Sequence, residues 1–242
     1  MFYFGIPSYK RADNQETLNY LNKLGYKKEN IILSVQTQQD YEAYQKYGDK
    51  CTIIYKEGNC VGDNRNNILE YLPKNEKVVM LDDDIFSIQQ LKDNKLENIN
   101  SKIELDKFIE NAFEFCLKNN ARIWGVYPVD NAYFMKKTID KQNIVIGCVV
   151  GLVNIFKFNR EYRTKEDYEL CCREISQGYN CIRFNNITAK AKHKTNSGGC
   201  KEDWKFEINK KCADMLIKTY PHLIKRNSKK LDEVRFVGKR NK

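Results

Sequence analysis

Three adjacent aspartates, Asp82-Asp83-Asp84, directly follow a largely apolar segment, Lys77 to Leu81. Carboxylates this close repel one another, and a cation between them relieves that repulsion. Hard divalent ions such as Mg²⁺ take carboxylate oxygens together with substrate phosphates and water. Because a β-branched apolar run is typical of a strand buried within a sheet, we expect the aspartates at the end of such a strand and not in a surface turn. The pattern predicts a site for a metal ion and a diphosphate.

Two further segments carry side chains suited to a nucleotide. In Pro7-Ser8-Tyr9-Lys10-Arg11, Tyr9 could stack on a base or ribose and Arg11 could reach a phosphate, although a strand exit with solvated charges has the same pattern. Gly58 to Asn66 is predicted to be a flexible loop that leads into a helix, where backbone N–H groups attract anions. A loop that only caps the helix is an equal alternative for this second segment.

The elements that must position these residues alternate along the first half of the chain. Predicted strands cover Tyr3–Pro7, Ile31–Val35, Cys51–Tyr55 and Lys77–Leu81, and predicted helices cover Asp13–Leu24, a segment capped by Thr37 that runs to Tyr47, and Arg65–Leu72. This order indicates a mainly parallel α/β sheet. Such sheets bind ligands at the carboxyl ends of their strands, so Ser8, Gly58 and Asp82 are expected in one cleft.

The second half of the chain is less regular. A capping-box pattern at Ser101 predicts a helix to Asn119, and a strand is expected at Ile123–Tyr127. A long apolar run, Ile144–Phe156, predicts a strand with a bend near one of its glycines, 147 or 151. Further helices are predicted at Lys165–Gln177 and Asp203–Tyr220, with a strand at Cys181–Lys194 between them.

Composition and charge limit the class of protein. The 242 residues include 41% hydrophobic ones, enough for a folded core, but no apolar run of the roughly 18 residues that span a bilayer. Nine cysteines without CxxC pairs predict reduced thiols, and the protein is expected in the cytoplasm. The net charge is +10, and residues 221–242 hold eight basic and two acidic side chains. This segment suits a polyanion, although a solvated tail without a partner explains it equally well.

Five segments together resemble the GT-A glycosyltransferases, and most closely the TET/JBP-associated glycosyltransferase family of phage and related DNA-modification systems. They are Ile6–Arg11, Gly62–Asn66, Leu81–Asp84, Lys165–Glu169, and His193 with Ser197-Gly198-Gly199. The resemblance implies a Rossmann-like α/β fold with a mainly parallel central sheet flanked by helices and a smaller mixed C-terminal part. It divides the chain into a domain over 1–220, with a nucleotide-binding half (1–85) and an acceptor and metal-completing half (86–220), and a basic tail over 221–242.

The resemblance also implies an activity, the transfer of a sugar from a nucleoside diphosphate sugar, and we expect that donor to be UDP-linked. It further implies roles for individual residues. Mn²⁺ or Mg²⁺ would be held by Asp84 and His193 with Asp82. The expected nucleotide-sugar residues are Pro7, Ser8, Tyr9, Arg11, Asp63, Arg65, Asn66, Asp82, Asp83, Ser197, Gly198 and Gly199. If the reaction inverts the sugar, Asp167 is the expected base with Glu166 as second choice. Acidic residues are also favoured in the first turn of any helix, which is the alternative explanation of this pair.

The expected acceptor is a 5-hydroxymethylpyrimidine in DNA, such as 5-hydroxymethylcytosine, and the host cytoplasm is the expected location if the chain is phage-encoded. Phosphate contacts are then expected from Lys225, Arg226, Lys229, Lys230, Lys239 and Arg240. A protein, lipid or glycan hydroxyl is the alternative acceptor. A sugar-phosphate nucleotidyltransferase is disfavoured because Pro7–Arg11 contains no glycine. A non-enzymatic nucleic-acid-binding module is disfavoured because three aspartates without a metal ion would repel phosphate.

Overall fold

A ten-stranded sheet forms the centre of the protein, which the computed structural model describes over residues 1–191 and 205–238. In chain order its strands are β1 (Tyr3–Pro7), β2 (Ile31–Val35), β3 (Thr52–Tyr55), β4 (Lys77–Leu81), β5 (Ile85–Lys92), β6 (Lys95–Asn98), β7 (Ala121–Tyr127), β8 (Ile139–Asp140), β9 (Val149–Val153) and β10 (Asn180–Ala191). A separate hairpin consists of β11 (Ile224–Arg226) and β12 (Val234–Phe236). The helices are α1 (Glu16–Lys23), α2 (Gln38–Tyr44), α3 (Val61–Tyr71), α4 (Lys102–Lys118), α5 (Glu166–Ser176) and α6 (Phe206–Thr219).

The first half of the chain forms the parallel part of the sheet, in the order β3-β2-β1-β4. Gly5 in β1 is paired with Ile32 on one side and with Met80 on the other. The helices predicted between these strands are present, and the Thr37 hydroxyl caps α2 by accepting the N–H of Asp40 at 3.0 Å. The predicted parallel α/β arrangement is confirmed for this half.

The second half continues the sheet with mixed pairing. β9 runs antiparallel to both β4 and β7, β7 is parallel to β10, and β10 is antiparallel to β5. The β5–β6 hairpin was not predicted from the sequence. The strand predicted over Ile144–Phe156 begins only at Val149, because Gly147 adopts a φ of +90° that interrupts extended backbone. Helix α4 has the predicted Ser101 cap, whose hydroxyl accepts the N–H of Glu104 at 3.2 Å.

Helix α3 begins at Val61, four residues before the predicted start at Arg65. The carboxylate of Asp63 accepts the backbone N–H of Asn59 at 2.9 Å, which ties the first turn to the preceding chain. The loop predicted over Gly58–Asn66 is therefore confined to the residues before Val61. Arg65, the predicted first residue of this helix, therefore lies within α3 instead of at its start.

Two apolar cores cover the two faces of the sheet. One contains Leu18 of α1, Tyr44 of α2 and Phe113 of α4, and the other contains Ile68 of α3 and Leu216 of α6. Burial of such side chains supplies the main stabilising term of the fold. In the described part of the chain, no helix is both long and apolar enough to cross a membrane.

The segment predicted to be a basic tail is folded over its described part. Ile224 of β11 and Val234 of β12 are buried in the same core as α6. The β11–β12 hairpin therefore packs on the domain instead of extending into solvent.

Candidate active site

A cleft of about 790 Å³ opens at the carboxyl ends of β1 and β4. Ser8, Gly58 and Asp82, which follow three different strands, all line it, as the sequence predicted. The opposite wall consists of residues 146–148 and of residues 163–168 around the start of α5. Glu233, from the loop of the β11–β12 hairpin, completes the lining. The residues that line the cleft therefore come from both halves of the chain.

The exit of β1 turns back toward the aspartates. Lys10 has a φ of +52°, in the left-handed region, and the following Arg11 directs its guanidinium to the carboxylates of Asp83 and, at 3.2 Å, Asp84. Asp83 also accepts a hydrogen bond from the Ser8 hydroxyl at 2.5 Å. Burial raises the pKa of Asp83 to about 6, although Arg11 and Ser8 favour its charged form.

The turn that carries the aspartates is held by α1. The hydroxyl of Thr17, a fully buried residue, donates to the carbonyl of Asp82 and accepts the N–H of Ile85 at 2.9 Å. All three aspartates line the cleft, but Asp82 is the most accessible, with 39% of its side chain exposed. Asp84 contacts Arg11 at 3.2 Å, whereas Asp83 binds both Ser8 and Arg11. The three aspartates therefore have different surroundings.

Arg65 connects the aspartate turn to the start of α5. Its Nη1 lies 2.9 Å from Glu166 Oε1 and its Nη2 lies 3.4 Å from Asp82 Oδ1. The side chains of Arg65 and Glu166 are both almost completely buried, at 5% and 7% exposed. A buried guanidinium with two carboxylates fixes their relative positions, because each partner loses its compensation if it moves away.

Glu166, which is buried, and Asp167, which is half-buried, form an acidic pair at the first turn of α5. Asp167 Oδ1 accepts the N–H of Tyr168 at 2.8 Å, and its Oδ2 accepts the N–H of Gly147 at 3.2 Å. Burial raises the pKa of Glu166 and that of Asp167 above the ordinary carboxyl range, and Arg65 opposes the shift in both. A carboxyl with a raised pKa in a cleft is suited to accept a proton.

The residue before this pair has an unusual conformation. Lys165 has a φ of +69°, which costs a side-chain-bearing residue roughly 1–2 kcal/mol. Its side chain is only 2% exposed, and its Nζ lies 2.5 Å from Asn209 Oδ1 and 3.2 Å from Glu233 Oε2. The start of α5 is thus connected to α6 and to the β11–β12 hairpin.

The donor set of the cleft fits a hard divalent cation. Within residues 1–191 and 205–238, no three histidine, cysteine or carboxylate side chains converge to hold a metal ion. Asp82 and Asp84 supply two carboxylates at the cleft, which is the number that Mg²⁺ commonly takes alongside phosphate and water. The predicted ligand His193 and the predicted diphosphate loop Ser197-Gly198-Gly199 lie outside the described residues.

Two residues predicted to bind the nucleotide have other partners and do not line the cleft. Asp63 Oδ1 lies 2.6 Å from Nε of Arg160, and its other oxygen holds the start of α3. Asn66 makes two hydrogen bonds with the backbone of Phe158, at 3.0 and 2.7 Å. Both side chains are buried in contacts of α3, and their role at the nucleotide stays a prediction.

The remaining predicted nucleotide residues, Pro7, Ser8, Tyr9, Arg11, Arg65 and the aspartates, do line the cleft. Of the residues predicted to bind DNA, Lys225, Lys229 and Lys230 are exposed on the hairpin. Arg226 pairs with Asp214 and donates to the carbonyl of Leu231, so its charge is largely compensated. Lys239 and Arg240 lie outside the described part of the chain.

Sequence reasoning missed four residues that shape the site. Gly147 donates to Asp167, and Lys165, Asn209 and Glu233 connect the start of α5 to the end of the chain. Gly147 had one sequence signal, since it interrupts a long apolar run. The other three are ordinary polar residues whose proximity arises only from the tertiary fold.

Comparison with known proteins gives a family and a fold. The sequence profile of a family described as TET-Associated Glycosyltransferase matches residues 4–199. No curated protein sequence matches the chain significantly.

The solved structures that share the fold include the following two. The chain is similar to S. aureus TarS, in a crystal structure of residues 1–349, at 13% identity and a TM-score of 0.50, covering 89% of this chain and 65% of that one. It is also similar to the mannosyltransferase PcManGT from Pyrobaculum calidifontis, in complex with GDP-Man and Mn²⁺, at 13% identity and a TM-score of 0.59, covering 90% and 63%. The chain thus spans slightly less than two thirds of either structure.

Proposed function

The chain belongs to the TET-associated glycosyltransferase family and has a GT-A fold, and from this we propose that it transfers a sugar from a nucleoside diphosphate sugar to a hydroxyl group. One observation carries the proposal. Arg65 joins Asp82, on the side of the cleft suited to a diphosphate, to Glu166, on the side suited to a proton acceptor. A transferase needs both chemistries within reach of one substrate carbon.

The donor would occupy the side of the cleft formed by the exits of β1 and β4. Tyr9 would stack on the base or ribose, and Arg11 and Arg65 would favour the negative charge of the diphosphate. The volume of about 790 Å³ is in the range of small-molecule sites. We propose a UDP-linked sugar as the donor. The similar mannosyltransferase structure contains GDP-Man, so GDP-linked sugars belong in the same test.

We propose that Mn²⁺ or Mg²⁺ is held by Asp82 and Asp84, with His193 as a further ligand. A bound divalent ion would neutralise charge on the departing diphosphate. Both carboxylates line the cleft, and the similar mannosyltransferase was solved with Mn²⁺. Asp83 would act differently, by holding Arg11 and Ser8 in place.

In an inverting reaction, Asp167 would take the proton of the acceptor hydroxyl. The hydroxyl oxygen forms a bond to the anomeric carbon, the bond from that carbon to the phosphate oxygen breaks, and the nucleoside diphosphate leaves with the electron pair. The N–H groups of Gly147 and Tyr168 would orient the Asp167 carboxylate. Glu166 is the second candidate base, but its ion pair with Arg65 makes it less available than Asp167.

We propose a 5-hydroxymethylpyrimidine in DNA as the acceptor. The net charge of +10 favours a polyanion, and Lys225, Lys229 and Lys230 are exposed. Tyr133 and Phe134 pack edge to face with ring centroids 5.1 Å apart, yet they are 86% and 56% exposed. They follow the cleft residue Pro128 by a few positions, so they could stack on bases next to one that is flipped into the cleft.

A mass-shift assay with a panel of UDP- and GDP-sugars, Mn²⁺ or Mg²⁺, and several acceptors tests the proposal. We expect a hexose-sized mass increase on DNA that contains 5-hydroxymethylpyrimidine and none on unmodified DNA. Transfer only to peptide, lipid or glycan hydroxyls would assign a different acceptor to the same enzyme. Formation of a nucleotide sugar from a nucleoside triphosphate and a sugar phosphate would indicate a nucleotidyltransferase. DNA binding without any turnover of sugar donors would contradict the enzymatic proposal.

A further inference from the structure

Asn209 of α6 forms a polar junction next to the start of α5. Its Oδ1 accepts hydrogen bonds from the Thr164 hydroxyl at 3.0 Å and from Lys165 Nζ at 2.5 Å. Its Nδ2 donates to Asp232 at 3.0 Å and to Glu233 at 3.3 Å, both in the hairpin loop. Asn209 is 2% exposed, so both ends of its amide are committed inside the protein. Three separate segments therefore meet at one side chain.

Lys165 connects this junction to the acidic pair Glu166-Asp167. Its backbone is held in the left-handed region directly before Glu166, at the residue where α5 begins. A non-glycine residue keeps this conformation only when its surroundings determine it, and here the buried Nζ is bound by Asn209 and Glu233. The direction in which α5 leaves this residue sets the position of Asp167 against the N–H of Gly147.

Stability alone is a weak explanation for this arrangement. Placing a lysine ammonium where only 2% of the side chain is exposed requires desolvation of its charge, and apolar residues of similar size often stabilise a protein as well or better. The polar contacts instead specify one geometry at the wall of the cleft, which Glu233 itself lines. Asn209 and Glu233 both lie beyond the residues 4–199 matched by the family profile.

We propose that Glu233 is a positioning residue, which acts through Lys165 and Asn209 to fix the start of α5 and hence the carboxylate of Asp167. The α6 helix and the β11–β12 hairpin are then a required part of the active site. The inference rests on the proposed function, because that function assigns the proton transfer to Asp167.

A double-mutant cycle between Glu233 and Lys165 tests the positioning role. Glu233→Gln removes the charge while keeping the shape, and Lys165→Met removes the ammonium group. We expect each variant to lower kcat for transfer about tenfold, with the KM for the donor changed less than about twofold. Because both changes interrupt the same connection, the double variant should lose little more than either single one. Losses that multiply would mean that Glu233 acts on the substrate directly, and the proposal would be wrong.

A matched control is Glu207→Gln, which removes an exposed carboxylate from the first turn of α6. It should keep the kcat of the parent protein. A kcat of Glu233→Gln equal to that of this control would overturn the proposal. So would a loss of kcat accompanied by an equal increase in KM, or by unfolding at the assay temperature.

Hydrogen exchange separates this inference from the proposed function. Amide exchange at residues 166–169 should be faster in Glu233→Gln than in Glu207→Gln, because the start of α5 is less restrained. If the parent protein transfers no sugar from any donor, the proposed function fails and exchange alone decides the inference. Faster exchange would still support the structural connection, whereas unchanged exchange would overturn it.

Discussion

Arg65 has carboxylate partners that the sequence did not predict. The pattern around it indicated a nucleotide contact at the start of a helix, and the structure places Arg65 inside α3, with its side chain buried between Glu166 and Asp82. A guanidinium is suited to this place because it stays charged and presents several donors in one plane. Arg65 therefore favours the charged form of Glu166, whose pKa burial raises.

Replacing Asp84 with alanine should abolish both transfer and hydrolysis of the donor, because one of the two cleft carboxylates proposed to hold the metal ion is lost. The fold should persist, since Arg11 keeps its contact with Asp83. Turnover of a sugar donor, followed as released nucleoside diphosphate, measures the first effect, and the thermal unfolding midpoint measures the second. Full activity of the parent protein in excess chelator would show that no metal ion is needed.

Asp167→Asn should stop transfer while leaving binding of UDP unchanged. Burial raises the pKa of Asp167, and a base acts only when it is ionised. Transfer by the parent protein should therefore be low at acidic pH and should rise with pH through that pKa, which lies above the ordinary aspartate value of about 3.9. Single-turnover rates at several pH values measure the rise. If Glu166→Gln is inactive and Asp167→Asn is not, the base is Glu166.

At the scale of elements, β9 depends on close contact with Trp124 of β7. A Cβ atom at Gly151 would lie 2.0 Å from the indole, whose residue is fully buried. Gly151→Ala should therefore destabilise the protein by about 1–3 kcal/mol, because overpacking forces side chains or backbone to shift. Urea denaturation measures the change. Ser101→Ala, which removes the α4 cap on a solvent-facing helix end, should cost about 1 kcal/mol, and a clearly smaller loss for Gly151→Ala would contradict the packing argument.

The strands and helices of the parallel half could be predicted because their signals are local. Apolar runs such as Ile31–Val35 and cap residues such as Thr37 act over a few positions, and the structure confirms both. Because ligands bind at the carboxyl ends of the strands in such sheets, Ser8 and Asp82 were correctly predicted to lie in one cleft. Nothing local distinguished the inward-facing Asp83 from its neighbours, because that difference depends on Ser8 and Arg11, more than seventy residues earlier.

The two hairpins were also harder to predict, because their positions depend on contacts with residues far away in the sequence. The β5–β6 hairpin joins the sheet through β10, about a hundred residues later, and that pairing determines its place. Ile224 and Val234 gave a weak apolar signal among many basic residues, and their burial depends on α6. The many charged residues around the β11–β12 hairpin thus made it resemble a solvated tail in the sequence, although it packs on the domain.

For the molecule as a whole, only part of the excess positive charge is free to contact a polyanion. Arg226 is compensated by Asp214, whereas Lys229 and Lys230 at the turn of the hairpin are exposed. Only charges that are not already compensated release counterions when a polyanion binds. If DNA is the acceptor, the exposed lysines, more than the total charge of +10, should determine how strongly it binds.

Replacing both Lys229 and Lys230 with alanine should raise the KM for DNA and flatten the dependence of binding on salt, since two phosphate contacts are lost. Hydrolysis of the donor without acceptor should not change. Binding isotherms at several salt concentrations measure the slope. Arg226→Ala is a useful comparison, because its charge is already paired and the salt slope should change less. Equal losses of hydrolysis and DNA binding in the double variant would mean that the turn supports the fold.

Ser8 and Glu233 line the same cleft although more than two hundred residues separate them in the sequence. During synthesis, the first strands of the sheet leave the ribosome long before the hairpin loop that completes the cleft wall. A chain that is interrupted or cut before residue 233 could therefore form much of the sheet and keep its aspartates, yet its cleft would lack that wall. The lining of the cleft is thus complete only after residue 233 has been translated.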